Sequence, residues 1–128
     1  MKLSTFFIPG DPVAKPRQTQ RDRWKKRPCV MRYRAWADMA RFSTSKAFLL
    51  NPIKVNILAV FQMPQSWPKK KKAELAGKPH RQKPDWDNIG KAVSDALWGD
   101  DSVLYDVTVR KVWEGEAYTQ GTYIEVWV

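Results

Sequence analysis

Cysteine occurs once in this sequence, at Cys29, so no internal disulfide can form and a reducing compartment is expected. No neighbouring pattern would activate that thiol, and Cys29 reads as a buried or incidental residue. Histidine also occurs once, at His80, inside a basic stretch, where a loop or phosphate contact is expected before a general base. No run approaches the roughly 20 apolar residues that span a bilayer, which excludes a helical membrane anchor. The opening MKLSTFFIPG carries one lysine and an apolar stretch broken at Pro9, too short for a signal peptide. Repeats and low-complexity linkers are absent, so residues 1–128 are read as one soluble, cytoplasmic domain. Hydrophobic content of 43% with seven tryptophans excludes a disordered chain.

Acids are scarce beside bases, 13 against 23, giving a formal charge of +10. The excess is concentrated. Residues 15–27 hold Lys15, Arg17, Arg21, Arg23, Lys25, Lys26 and Arg27 against Asp22 alone. Residues 69–83 hold Lys69, Lys70, Lys71, Lys72, Lys78, Arg81 and Lys83 against Glu74 alone. These fourteen bases and two acids amount to +12, and the rest of the chain is slightly negative. Solubility needs far fewer charges. Two such segments call for a polyanion, and nucleic acid returns the most free energy through counterion release. Neither segment reads as an amphipathic helix, so a membrane surface is not expected as partner.

The apolar pattern gives the order β-α-β-α-β-β, an α+β fold with a single mixed sheet and helices packed on it. Leu3–Ile8 reads as a strand stopped by Pro9-Gly10. From about Val30 to Leu50, Tyr33, Trp36, Ala37, Ala40, Ala47 and Phe48 mark the core face of a helix. Ile53–Phe61 alternates and then turns fully apolar, as a central strand does. A basic loop runs from Met63 to Pro84, with a short helix around Lys70–Ala76. Trp86, Ile89, Val93, Ala96 and Leu97 give a second amphipathic helix, with Gly99 as its stop. Val103–Trp113 and Tyr123–Val128 are expected to close the chain as a hairpin, with Asp106, Glu114, Glu116 and Glu125 on a solvated face.

The acids that remain gather in KPDWDNIGKAVSDALWGDD, residues 83–101, which holds Asp85, Asp87, Asp95, Asp100 and Asp101. Crowded carboxylates repel unless a cation lies between them, and Mg²⁺ takes hard oxygen ligands. Asp85 and Asp87 fall at the start of the second helix, where Pro84 constrains entry and an Asp can cap free N–H groups. Lys91 follows Asp87 by four residues and shares its helix face, as does Asp95. An ammonium there can hold a phosphate oxygen, orient water or protonate a leaving group. Asp101 would complete a metal site from the following loop. Ten helical residues cover about 15 Å, and the four steps from Leu97 to Asp101 span at most about 14 Å. The chain must therefore double straight back, or the helix must end early. Taken singly, each piece is an ordinary cap, turn or surface pair worth about 0.3–0.5 kcal/mol. Their conjunction between two basic segments points to metal-assisted phosphodiester hydrolysis.

This acidic string resembles the signature of the RusA family of Holliday-junction resolvases, often carried by prophages. IPGDPVAKPR resembles the family's first strand and the segment after it, and FQMPQSWPKKKK the strand before its basic loop. The likeness runs from about Phe6 to Lys111. It implies Asp85, Asp87 and Asp101 as metal-binding catalytic acids, Lys91 as the catalytic lysine, and Mg²⁺ or Mn²⁺ as cofactor with no small-molecule cofactor. It also implies a homodimer that nicks a four-way DNA junction at two symmetric positions. The residues expected on the DNA are Lys15, Arg17, Lys69, Lys70, Lys71, Lys72 and Lys83. Two other readings of the same residues are a non-catalytic nucleic-acid-binding protein, and a metal-dependent nuclease for another branched DNA or for RNA.

Overall fold

The computed structural model describes residues 3–16, 27–44, 50–99 and 101–128, with Asp101 described by its backbone alone. The elements in order are β1 (Leu3–Pro9), α1 (Pro28–Phe42), β2 (Lys54–Phe61), α2 (Lys69–Leu75) and α3 (Trp86–Leu97). A 3₁₀ turn (Asp101–Val103), β3 (Val107–Trp113) and β4 (Gly121–Trp127) follow. The strands form one mixed sheet in the order β1-β4-β2-β3, so the α+β expectation holds. β4 is antiparallel to both β1 and β2, whereas β3 is parallel to β2.

The expected terminal hairpin does not form. β3 and β4 follow each other in sequence, yet β2 lies between them in the sheet. The crossover through α3 brings β3 up parallel to β2, and β4 then pairs into the gap between β1 and β2. β2 is thereby central, as its apolar run requires.

One face of the sheet carries the core. Val55, Ile57, Ala59 and Phe61 of β2 and Ile124 and Val126 of β4 pack with Tyr33, Trp36, Ala37 and Ala40 of α1. Ile89, Ala92, Val93 and Ala96 of α3 complete it. Each fully buried branched side chain contributes about 1.5–3 kcal/mol. The two helices are also tied directly: Arg41 Nε donates to the Ala96 carbonyl at 2.8 Å, and the Tyr33 hydroxyl to the Ala92 carbonyl at 3.4 Å.

α1 ends at Phe42, well short of Leu50. Ser43 Oγ donates back to the Met39 carbonyl (2.9 Å) and Thr44 Oγ1 to that of Arg41 (3.2 Å). Such bonds compete with the helical ladder. Leu50 is exposed, while Ala47 and Phe48 lie outside the described residues. Cys29 is exposed on the first turn of α1, not buried. α3 stops where Gly99 adopts φ 75°, and the N–H groups of Trp98 and Gly99 both reach the Ser94 carbonyl. Among the described residues no helix is long and apolar enough to cross a membrane.

Candidate active site

The start of α3 is held from two sides. Residues 77–80 run antiparallel along the outer edge of β3: Gly77 N donates to the Trp113 carbonyl, Trp113 N to Lys78, and His80 N to Lys111. Four residues later the cis Lys83–Pro84 peptide turns the chain into Asp85. Lys111 reaches into that turn from β3 and donates to the carbonyls of Gln82 (2.6 Å) and Pro84 (2.7 Å). Burial lowers its pKa, opposed by the Asp85 carboxylate beside it. On the other side, Lys15 N donates to the Asn88 carbonyl and the Lys15 ammonium pairs with Asp95.

Asp85 is the N-cap of α3, but its carboxylate makes no capping bond. The Ile89 N–H donates to the Asp85 backbone carbonyl, the first bond of the helix. Asp87 falls in the first turn, and Asp85, Asp87 and Lys91 are all exposed. None of these three side chains has a hydrogen-bond or ion-pair partner among the described residues. The ordinary structural roles, an N-cap for Asp85 and an Asp87–Lys91 surface pair, are thus left empty. Asp87 and Lys91 line one groove of about 360 Å³ with Trp86, Asn88, Gly90, Ser94, Leu104, Val107 and Val109. Asp95 pairs with Lys15 instead, so Asp87 is the one acid of the expected face that lines the groove.

The turn at Asp101–Val103 packs against α3, which is where the chain must double back if Asp101 is to face Asp85 and Asp87. The Asp101 side chain and all of Asp100 lie outside the described residues, as does Arg17. Among the described residues no three His, Cys, Asp or Glu side chains form a metal-binding group. The donor set at hand, two solvent-facing carboxylates with no protein partner, suits a hard divalent cation.

Lys69–Lys72 lie on α2, so part of the second basic segment is helical. Its base is aromatic: His80 stacks on Phe61 (3.9 Å between centroids) and against Trp113 (4.4 Å), and Trp67 meets Trp113 edge-on. Lys71 Nζ lies 4.0 Å over the Trp67 ring. His80 thus lies in the loop before α3, as expected, but its ring is buried among aromatic side chains. It is 5% exposed, and Nδ1 has no hydrogen-bond partner. Burial first, and the nearby Lys111 charge second, lower its pKa from 6.5 to about 4. The folded chain disfavours the imidazolium, so this contribution to stability is complete above the unfolded pKa. It is lost as pH falls from about 6.5 through about 4. Urea melts across this range should show that slope, and His80→Phe should flatten it; an unchanged slope would remove His80 as its source.

Three residues escaped the sequence reading. Lys111 follows Val107 and Val109 on the helix-facing side of β3, and a lysine on an apolar face was the available signal. Glu114, expected in solvent, accepts the Met63 N–H through Oε1 at 3.2 Å. Trp86, expected in the core face of α3, is 65% exposed.

Two exposed acids and a lysine thus gather at the start of one helix, flanked by basic chain. The family model described as Endodeoxyribonuclease RusA matches residues 9–126 of the 128, and the chain belongs to that family of DNA endonucleases. Comparison with curated proteins gives no match.

Proposed function

We propose that this endonuclease resolves four-way DNA junctions by paired, symmetric nicks, with Mg²⁺ held by Asp85, Asp87 and Asp101. The observation that carries the reading is that Asp85, Asp87 and Lys91 are exposed and unpartnered within a chain of charge +10. Acids with no hydrogen bond or ion pair among the described residues, in a protein that attracts polyanions, are explained by a cation they share with a phosphate. A bound Mg²⁺ would polarise the phosphoryl oxygen and ease deprotonation of the attacking water. Lys91, one turn along the same groove, offers an ammonium to the phosphate oxygens as charge builds on them. Lys111 ties down the turn that presents Asp85.

DNA is gripped on both flanks. Lys69, Lys70, Lys71 and Lys72 present a row of charge from α2, and Lys83 lies at the entry to the site. Lys15 and Arg17 lead from the N-terminal segment, with Lys15 anchored to Asp95. A four-way junction has two-fold symmetry, which suits a homodimer with two equivalent sites.

The test is cleavage of a supercoiled plasmid bearing an extruded cruciform, beside fork, duplex and RNA substrates, with and without Mg²⁺. Linear product from the cruciform, dependent on Mg²⁺, is expected. Binding without cleavage under any divalent ion would reduce the protein to a binder. Faster cutting of forks or RNA would reassign the substrate. In the same assay, neutralising Lys69–Lys72 should flatten the salt dependence of binding, and an unchanged slope would take α2 off the DNA.

A further inference from the structure

Trp86 stands between the two candidate metal ligands and is the one exposed tryptophan among those described. Trp36 and Trp113 are buried, and Trp67, Trp98 and Trp127 are half-buried. An indole 65% open to water at the first position of a helix contributes little to the fold that displays it. It lines the groove that also holds Asp87 and Lys91, together with apolar Leu104, Val107 and Val109. Gly90, also in the lining, lies close to Val109: a Cβ there would be 3.4 Å from the valine methyl. Asn88 and Ser94 add polar groups to the same groove. The Asn88 side-chain amide has no hydrogen-bond partner among the described residues.

We infer that this groove takes a single unstacked nucleobase of the DNA, beside the phosphate that is cut, with Trp86 as the stacking surface. The inference rests on the reading of Asp85 and Asp87 as the metal ligands at that phosphate. At about 360 Å³ the space is at the small end of ligand pockets, suited to one flat ring system rather than a paired duplex. An aromatic plane is the sequence-tolerant way to hold an unpaired base. An amide with its donor and acceptor both available is the group that reads a base edge. At the point where strands exchange in a branched substrate, bases unstack at least cost, so a groove for an extruded base favours branched DNA over plain duplex.

The test is a double-mutant cycle between Trp86 and the DNA bases, read as binding affinity in the absence of divalent ions. The substrates are junctions carrying an abasic residue at successive positions beside the expected nick. Trp86→Ala should weaken binding of the intact junction about 10-fold, while Trp86→Phe keeps it within about 3-fold. At one position the abasic residue should weaken the native protein by a similar factor and leave Trp86→Ala unaffected. Equal thermal stability of the three proteins, expected for an exposed side chain, shows that folding is not what changed.

Independent, multiplicative effects at every position would overturn the proposal. So would a Trp86→Ala protein with altered oligomeric mass and unaltered binding, which would assign the groove to a second copy of the chain. Because the cycle reads affinity alone, failure of the native protein to cut junctions in Mg²⁺ would be seen separately, as failure of the catalytic reading.

Discussion

Asp87→Asn is expected to abolish nicking of a four-way junction in Mg²⁺ while leaving binding intact or tighter. Removing a group that only supports a metal ligand typically costs 10–100-fold, and a ligand itself should exceed that, so a loss beyond about 100-fold is the outcome to look for. The variant keeps the shape of the side chain. It also disturbs no internal contact, since Asp87 has no partner among the described residues. Loss of a negative charge facing a polyanion is the reason binding should not suffer. Gel-shift affinity and single-turnover nicking, measured on one preparation, separate the two effects. A variant that still cuts at the native rate would leave Asp87 without a catalytic role.

Lys111→Met is expected to slow nicking by about 10- to 100-fold although the side chain makes its contacts behind the site. Its ammonium fills two carbonyls of the turn before Asp85, those of Gln82 and Pro84. Methionine keeps the stem but leaves both acceptors unpaired, at a cost of about 1–3 kcal/mol in stability. That loss alone would lower the melting temperature and leave the active fraction's properties unchanged. A positioning role predicts more: the Mg²⁺ concentration for half-maximal rate should rise, because the turn that presents Asp85 is no longer held in place. A destabilised protein with unaltered Mg²⁺ dependence would make Lys111 a purely structural residue.

Much of this site could be read without coordinates because its parts are local. Asp85, Asp87 and Lys91 lie within seven residues, and helical geometry alone puts the last two on one face. The surroundings were harder. Glu114 and His80 each looked like surface residues in a polar stretch. Their burial depends on Met63 in one case and on Phe61 and Trp113 in the other, all remote along the chain. Trp86 failed the other way. It fits the apolar period of α3, but it occupies the first position of the helix and is 65% exposed.

What the chain determined by itself follows from short-range rules. Period 3.6 in Tyr33–Ala40 and Ile89–Ala96 made helices, and alternation in β2 made a strand. The charge balance pointed to a polyanion, and the acidic string pointed to a nuclease, in keeping with the family match. Only the tertiary structure decided that β3 lies beside β2 and away from β4. That parallel pairing is what carries Lys111 under the Asp85 turn and Val107 and Val109 across from Trp86. Periodicity shows which side of a strand is buried, but never which strand will be its neighbour. That choice belongs to the crossover and to hydrogen bonds between residues far apart in sequence.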